Sequence, residues 1–283
     1  MASFTNFATL SYNGGTTNSN IVTGEILEAL TAVKTAVSAN YSAGDRITYA
    51  LSLVNTGTAA ITDYTVTDNL GGYTVGANTV YPLAYNAGTV RYYINGVLQT
   101  APTVTAGPPL TVTGLTVPAG GNAVLIYETT ATPVAPLATG SSITNTATIT
   151  GAGLTNPITA QATVETANSA DLTISKALSP TTVTENGRIT YTFVISNTGN
   201  TEATATGNVV VTDTFAPILR NIAVTYNGTA WTEGTNYTYN AATGVFTTLA
   251  GQITVPAASF TQNTDGTFTV TPGTATLVIT GTI

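Results

Sequence analysis

Lys34, Asp68 and Asn145 are three residues of this 283-residue chain whose types and spacing could form a covalent bond. Burial disfavours charge, so it drives a lysine toward the neutral amine and an aspartate toward the protonated acid. The amine can attack the amide carbon of an asparagine whose carbonyl the acid polarises, which expels ammonia and leaves an isopeptide bond. We predict such a bond from Lys34 to Asn145, assisted by Asp68. The competing interpretation is a buried Lys–Asp ion pair, with the asparagine bonded to backbone at a strand end.

The same chemistry recurs because the chain contains an internal duplication. The segments LTAVK, RITYALSLVNTG and YTVTD match LTISK, RITYTFVISNTG and VVVTD further along. A spacing of 142 residues separates Lys34 from Lys176, and 145 residues separate Asp68 from Asp213, which implies a three-residue insertion. Lys176 and Asp213 therefore repeat the first pair, and the chain has no other lysines.

The start of the chain reads like the end of a repeat. Phe4 to Gly14 (FTNFATLSYNG) resembles Ile143 to Gly153 (ITNTATITGAG), whereas the second repeat has no such segment after Thr276 to Ile283 (TLVITGTI). We interpret residues 1–29 as donor strands, from Phe4 to Tyr12 and from Asn20 to Ala29, that replace the missing pair. The alternative is a disordered tail beside a naturally shorter second domain.

Donor strands of this kind would join molecules head to tail, by addition of a strand to a neighbour's sheet. A head-to-tail contact that does not close gives an open filament. Asn6 occupies the place of Asn145 in the matched segment. We therefore predict a bond between molecules, from Lys176 to Asn6, assisted by Asp213.

Strand periodicity assigns all six residues to apolar faces. Successive side chains of a strand point to opposite faces, so residues two apart share a face. Each candidate shares parity with apolar neighbours: Lys34 with Leu30 and Ala32, Lys176 with Leu172 and Ile174, Asp68 with Tyr64 and Val66, Asp213 with Val209 and Val211, Asn145 with Ile143 and Ala147, and Asn6 with Phe4 and Ala8.

The elements that must position these residues are β-strands. Short runs of Val, Ile, Thr and Tyr alternate with Gly, Asn and Pro, and Asn95-Gly96 and Asn227-Gly228 are hairpin-turn signals. Glu25 to Leu30 is the one helical hint, and it is too short to change the assignment. The sequence predicts an all-β fold of two tandem β-sandwiches, over residues 30–167 and 168–283, the second completed by a donated N-terminal strand pair.

The composition of the chain excludes several classes of function. Only 7% of residues are charged, against about 25% in an average soluble protein, and the net charge is -7, with scattered bases that give no basic patch for nucleic acid. The chain has no cysteine and no histidine, so thiolate sites and the commonest general base are excluded. We expect no metal or cofactor, and a turnover enzyme has the least support.

The chain shows no recognisable export signal. Its N-terminus, MASFTNFATL, has neither a basic nor an apolar leader region, and no stretch has the length of a transmembrane helix. We expect no membrane insertion. Either a leader was removed, or the protein is made in a cytosol and reaches an outer surface when that cell lyses, as spore-coat proteins do.

The repeated motifs resemble the bacterial conserved-repeat family called domain of unknown function 11. Its elements here are a lysine, an I-T-Y segment, N-T-G, V-T-D and I-T-N-T-A-T, and they lie at Lys34, Arg46–Tyr49, Asn55–Gly57, Val66–Asp68 and Ile143–Thr148, with Lys176, Arg188–Tyr191, Asn197–Gly199 and Val211–Asp213 in the second copy. The resemblance implies immunoglobulin-like sandwiches used as stalks or building blocks on bacterial surfaces. Two-copy members are similar to subunits of ribbon-like appendages on clostridial spores.

These inferences lead to one expected function and one alternative. The expected function is a structural subunit of a surface or spore-appendage fibre, whose partners are its own copies and other appendage or spore-coat proteins. Surface-fibre sandwiches of other bacteria resemble the predicted Lys-Asn arrangement. The alternative is a monomeric adhesin or carbohydrate-binding stalk module.

Overall fold

The computed structural model describes residues 2–26, 29–151 and 154–283, and its regular structure is almost entirely β-strand. The one helical element in these ranges is a 3-10 turn at Ala205–Gly207. The all-β prediction is therefore confirmed. None of the described residues forms a helix long and apolar enough to cross a membrane.

The chain divides into two compact units. The first runs to Pro136 and includes Ser142–Glu165, and the second comprises Leu137–Ser141 and Thr166–Ile283. The segment 137–141 belongs to the second unit because Asn200 donates to the carbonyl of Leu137 over 3.0 Å, and because Thr139 donates to the carbonyl of Asn200 over 2.7 Å.

An exposed arm of two antiparallel strand pairs begins the first unit. Its strands are β1 (Ala2–Asn6), β2 (Thr9–Tyr12), β3 (Gly15–Asn18) and β4 (Val22–Ile26). β1 pairs antiparallel with β4, and β2 pairs with β3 across a tight turn at Asn13-Gly14. The chain therefore returns in two strands: β3 starts at Gly15, directly after this turn, and β4 lies within the predicted second donor strand from Asn20 to Ala29. Residues 27 and 28, within the predicted second donor strand, lie outside the described residues.

The remaining strands of the first unit form two large sheets and one small hairpin. In chain order they are β5 (Leu30–Ala36), β6 (Asn40–Tyr41), β7 (Arg46–Asn55), β8 (Ile61–Asp68), β9 (Tyr73–Val75), β10 (Asn78–Val80), β11 (Leu83–Tyr85), β12 (Arg91–Ile94), β13 (Val97–Leu98), β14 (Thr103–Thr105), β15 (Leu110–Val117), β16 (Asn122–Ala131), β17 (Ser142–Thr150) and β18 (Ile158–Thr166). One sheet has the order β13-β12-β16-β7-β5, and the other has β14-β15-β8-β17-β18-β6.

This strand order is that of an immunoglobulin-like sandwich. β5, β7 and β16 are neighbours in one sheet and β8, β17 and β18 in the other, as the A, B, E and C, F, G strands are in that fold. Burial alternates along β7, β16 and β17, so every second side chain enters the core. The fold-class prediction for this unit is confirmed. Its last two strands, β17 and β18, form the pair that carries Asn145.

The second unit repeats only part of this arrangement. Its strands are β19 (Leu172–Ser179), β20 (Arg188–Asn197), β21 (Thr212–Thr214), β22 (Arg220–Tyr226), β23 (Thr229–Trp231), β24 (Tyr237–Asn240), β25 (Val245–Thr248), β26 (Ser259–Gln262), β27 (Phe268–Thr271) and β28 (Gly273–Thr282). The main sheet has the order β19-β20-β28-β22-β23, and opposite it stands a three-stranded sheet, β21-β25-β24. The core between them includes Phe193, Phe215, Phe246 and Leu277.

Both predicted hairpin turns are present. Asn95-Gly96 joins β12 to β13, and Asn227-Gly228 joins β22 to β23. All four residues have positive φ, from 47° to 80°, which is the conformation that a type I′ turn requires. Asparagine and glycine adopt it at low cost, so these turns fix the register of each hairpin.

Candidate functional site

Lys34 lies in the core of the first unit, paired directly with Asp68. β5 pairs with β7, and Lys34 stands opposite Leu51. Burial alternates along β5, so the Lys34 side chain points into the core. The Lys34 Nζ is 2.5 Å from the Asp68 Oδ2, and the two side chains are 0% and 1% exposed. The pair therefore bridges the two sheets in a place that water does not reach.

Asp68 ends β8 at a position flanked by strands on both sides. It stands opposite Leu110 of β15 and Ala147 of β17. Its Oδ1 accepts from the backbone N–H of Leu70 over 3.0 Å, while its Oδ2 accepts from Lys34 and from the hydroxyl of Tyr127. The carboxyl group is thus fixed by three donors.

Two stacked tyrosines form the wall behind the lysine. Tyr49 and Tyr127 face each other on β7 and β16, with ring centroids 5.8 Å apart. The Lys34 Nζ lies 4.8 Å from the Tyr49 centroid and 5.8 Å from that of Tyr127. Burial lowers the pKa of Lys34 to about 8, although Asp68 acts in the opposite direction. The neutral amine is therefore accessible near physiological pH.

Asn145 lies in this site with its amide unpaired. The residue is 0% exposed, and neither its Oδ1 nor its Nδ2 has a hydrogen-bond partner. The amide lies beside the hydroxyls of Tyr49 and Tyr127, whose pKa values are raised chiefly by burial and lowered in part by Asn145. Leaving a buried amide unpaired costs about 1–3 kcal/mol. Such a cost is expected where a group is held for chemistry rather than for stability.

Lys176 and Asp213 reproduce the first pair in the second unit, but they are partly open to solvent. The Nζ–Oδ2 distance is again 2.5 Å, while the side chains are 40% and 18% exposed. The Lys176 Nζ lies 4.6 Å from the Tyr191 ring centroid and 5.5 Å from that of Phe215. The Lys176–Asp213 pair therefore has the geometry of the Lys34–Asp68 pair but not its burial.

The exposure of this second pair follows from an open strand edge. β21, which carries Asp213, pairs with β25 alone within the residues that the structure describes, whereas β8 pairs on both sides. β19 is exposed along nearly its whole length, including Ile174 and Leu178. In the first unit, β17 occupies the equivalent edge and brings Asn145 with it.

Asn6 lies on the arm and is exposed. It stands opposite Val22 on β4, and it belongs to the first unit, whereas Lys176 and Asp213 belong to the second. The arm is apolar for a solvent-exposed element, since Phe4, Leu10 and Tyr12 are 55%, 63% and 61% exposed. The structure thus brings Lys34, Asp68 and Asn145 together, and it pairs Lys176 with Asp213.

Sequence reasoning missed the two site tyrosines. Tyr49 belongs to the repeated R-I-T-Y segment, where a matched Tyr191 was a signal that could have identified it. Tyr127 has no such signal, because Ile279 occupies the corresponding place opposite Tyr191. Its contact with Asp68 depends on the pairing of β16 with β7, which motif spacing does not reveal.

The N-T-G motifs serve the fold rather than the site. The Asn55 Oδ1 accepts from the Gly57 N–H over 2.9 Å, and its Nδ2 donates to the carbonyl of Ala59 over 2.8 Å. Asn197 makes the same contacts with Gly199 and Thr201, over 2.9 and 2.7 Å. Each buried asparagine therefore fixes the turn after its strand.

No protein-family model matches the chain, and no curated protein matches it. Among solved structures, it is similar to BcpA*(D312A), the major pilin subunit of Bacillus cereus, with 14% identity over 96% of this chain and 73% of that one, and a TM-score of 0.38. The 35 kDa C-terminal fragment of the major pilin GBS80 of Streptococcus agalactiae is 15% identical over 87% of both chains, with a TM-score of 0.37.

The N-terminal domain of the Streptococcus gordonii adhesin Sgo0707 is also similar, with 15% identity and a TM-score of 0.36. The match covers 48% of this chain and about a third of the adhesin chain, 32%. At these TM-scores none of the three proteins assigns a function to this chain. The likeness to the conserved-repeat family rests on the motifs alone.

Proposed function

We propose that this protein is the structural subunit of a bacterial surface fibre, in which the arm of one molecule completes the second unit of the next. The observation that carries the proposal is the contrast between the two Lys–Asp pairs. Lys34–Asp68 is covered by a strand pair that holds an asparagine, and Lys176–Asp213 is uncovered beside an open edge. The chain carries a matching, exposed strand pair on its arm.

The arm pairs its strands antiparallel, as β17 and β18 do, and it carries an asparagine on the first strand of the pair. In the first unit Ile143 stands opposite Val164, and Asn145 stands opposite Ala162. In the arm Phe4 stands opposite Gly24, and Asn6 stands opposite Val22. In both hairpins the asparagine lies two residues after a large apolar residue and faces a small or β-branched partner.

An unpaired strand edge and exposed apolar side chains favour addition of this hairpin. β21 would gain backbone hydrogen bonds along its free edge, which is the usual basis of strand addition. Phe4 and Leu10 would leave water, and each fully buried large apolar side chain contributes about 1.5–3 kcal/mol. The arm therefore docks by the same interactions that hold β17 in the first unit.

Docking would also supply what the second pair lacks for chemistry. The arm covers Lys176 and Asp213, which favours their neutral forms, and it delivers the amide of Asn6. The amine nitrogen of Lys176 then bonds to the amide carbon of Asn6, the C–N bond of the amide breaks, and its nitrogen leaves as ammonia with the proton from the amine. Asp213 carries that proton between them and is regenerated.

The same reaction joins Lys34 to Asn145 within each molecule, with Asp68 as the acid. Every step uses groups of the chain itself and needs no cofactor. Each site reacts once, so the protein is a self-linking structural protein rather than a turnover enzyme. We assign it to an outer surface, and the motif resemblance favours a spore appendage as that surface.

Electron microscopy and denaturing electrophoresis of the purified full chain test this function together. We expect filaments in negative stain and a ladder that persists in hot detergent. A variant without Ala2–Asn20 should give neither, because it lacks the donor strand.

Asn6→Ala should give filaments that dissociate in detergent, whereas the matched arm variant Asn18→Ala should behave as wild type. Filaments formed without the arm would refute donor-strand assembly, and a monomeric wild type with affinity for a glycan would favour the adhesin alternative.

A further inference from the structure

Three buried polar atoms without a hydrogen-bond partner belong to Tyr49 and Asn145. They are the Tyr49 hydroxyl and both amide atoms of Asn145, and only Tyr64 and Asn86 contribute others among the described residues. Tyr49 is fully buried, and its ring lies against the Lys34 amine at 4.8 Å. The site thus contains an unused donor on a residue that contacts the nucleophile and interacts with its predicted target.

We propose that the Tyr49 hydroxyl is a catalytic group of the isopeptide reaction, and that it donates a hydrogen bond to the Asn145 Oδ1 as negative charge develops there. This inference rests on the proposed function, because it concerns the same bond. Attack by the Lys34 nitrogen converts the planar amide into a tetrahedral intermediate whose oxygen carries the charge. A fixed donor in a dry site stabilises that charge strongly, as in oxyanion holes.

The two tyrosines differ in their hydrogen bonds, and this difference supports Tyr49 for the role. The Tyr127 hydroxyl already donates to Asp68, so its proton is engaged. The Tyr49 hydroxyl has no such partner. Burial and the nearby carboxylate raise the pKa of Tyr49, which keeps the hydroxyl protonated and able to donate at physiological pH.

In this reaction Tyr49 ends in the state in which it began. The Lys34 nitrogen forms a bond to the amide carbon, and the electron pair of the C=O bond moves to the oxygen, where the Tyr49 hydroxyl and Asp68 stabilise it. The carbonyl then re-forms as the C–N bond of the original amide breaks. Asp68 transfers the amine proton to the leaving nitrogen, and ammonia departs.

The second repeat retains this hydroxyl in the corresponding place. Tyr191 lies 142 residues after Tyr49, and the Lys176 amine lies 4.6 Å from its ring. The Tyr127 position, by contrast, holds Ile279. The hydroxyl common to both sites is therefore the Tyr49 one, and Tyr191 takes the same role toward Asn6 of the neighbouring molecule.

The rate of bond formation in Tyr49→Phe tests the proposal. The full chain is synthesised in a cell-free reaction, quenched in acid at intervals and digested with trypsin, which cannot cleave after a bonded Lys34. We expect bond formation on the order of a hundredfold slower than in wild type, the effect of losing one oxyanion donor. Tyr64→Phe is the matched control, since it removes another buried hydroxyl without a hydrogen-bond partner, and it should react at the wild-type rate.

Tyr191→Phe supplies a second measurement, in which filament assembly shows that the variant has folded. Its filaments should assemble as in wild type by negative stain, while their resistance to detergent develops on the order of a hundredfold more slowly. Wild-type rates in Tyr49→Phe or Tyr191→Phe would overturn the role of the hydroxyl while leaving the bond itself intact. A wild-type chain that never loses ammonia would overturn both the bond and this proposal.

Discussion

The two lysine sites of this chain have the same pair geometry in opposite surroundings. In each, the lysine nitrogen lies 2.5 Å from an aspartate oxygen over the face of a tyrosine. Lys34 is sealed from solvent, whereas Lys176 is 40% exposed. The strands that carry the two residues, β5 and β8 in the first unit and β19 and β21 in the second, therefore suffice to set the pair. What the second site lacks is the cover and the amide.

This difference gives the two proposed bonds different timing. The first site holds its amide within the molecule, so its bond can form as soon as the unit folds. The second pair is partly open to solvent, with side chains that are 40% and 18% exposed. If the arm supplies both the cover and the amide, as we propose, sealing should follow correct docking and should not occur in free subunits.

Amine labelling gives the largest expected contrast between the sites. A lysine-reactive reagent applied to unassembled subunits should modify Lys176 almost completely and Lys34 not at all, because only Lys176 is open to solvent. In assembled fibre neither lysine should react. Peptide mass spectrometry reads the result directly, since the chain has two lysines. Equal labelling of both lysines in the subunit would show that the two sites do not differ in their access to solvent.

Loss of the first bond should produce the next largest effect. A cross-link from Lys34 to Asn145 closes a loop of about 110 residues, for which chain-entropy arguments give about 4–5 kcal/mol. Asn145→Ala should therefore destabilise the first unit by about that amount in denaturant titrations of the monomer. Lys176→Ala serves as the control and should leave the monomer nearly unchanged. Similar losses in both variants would contradict the assignment of a bond to the first unit alone.

Much of this fold could be predicted from the sequence because its signals are local. A period of two and the Asn-Gly turns identify strands such as β7 and hairpins such as β12–β13, and parity alone turns Lys34 toward the core. Tyr127 illustrates what could not be predicted. Its place beside Asp68 depends on the register between β16 and β7, a pairing of residues distant in sequence that no local pattern encodes.

The arm shows a second limit of sequence reasoning. Its likeness to β17 could be seen in Phe4 to Gly14, but the early return at Gly15 could not, because apolar parity says little about where a short hairpin turns. The close approach of Phe4 to Gly24 was equally hidden. A Cβ at position 24 would lie 2.5 Å from that ring, so the glycine makes room for it.

The pH dependence of stability should distinguish the unbonded first site. In Asn145→Ala, Lys34 remains a free amine whose pKa falls from 10.5 to about 8 on folding. Between these values the unfolded chain binds more protons, so stability rises with pH. We expect a gain of about 2 kcal/mol from pH 8 to 10. Above pH 10 the raised pKa values of Tyr49 and Tyr64 reverse the trend, because the unfolded tyrosines lose protons first.

Urea titrations of Asn145→Ala at several pH values measure this gain. The double variant Lys34→Met/Asn145→Ala is its control, because it removes the titrating amine while keeping an unbranched side chain of similar shape. Its stability should be flat over the same range. A rise of equal size in the double variant would show that another group is responsible.

The smallest expected effect concerns Tyr127 and its counterpart Ile279. Tyr127 donates to Asp68, and this bond orients the carboxyl group toward the lysine. Tyr127→Phe should slow formation of the Lys34–Asn145 bond about tenfold. Losing one hydrogen bond costs about 1.4 kcal/mol, and that energy corresponds to a tenfold change in rate.

The reciprocal variant is more informative, because it would transfer the feature to the second site. Ile279→Tyr places a hydroxyl opposite Tyr191, and it should speed sealing of the fibre toward the rate of the first site. A structural role alone would change stability without changing the pH profile of the reaction. A positioning role predicts that Tyr127→Phe alters that profile, since Asp68 would lose one of the three donors that fix its carboxyl group. If neither variant changes the rate, Tyr127 has no positioning role in the reaction.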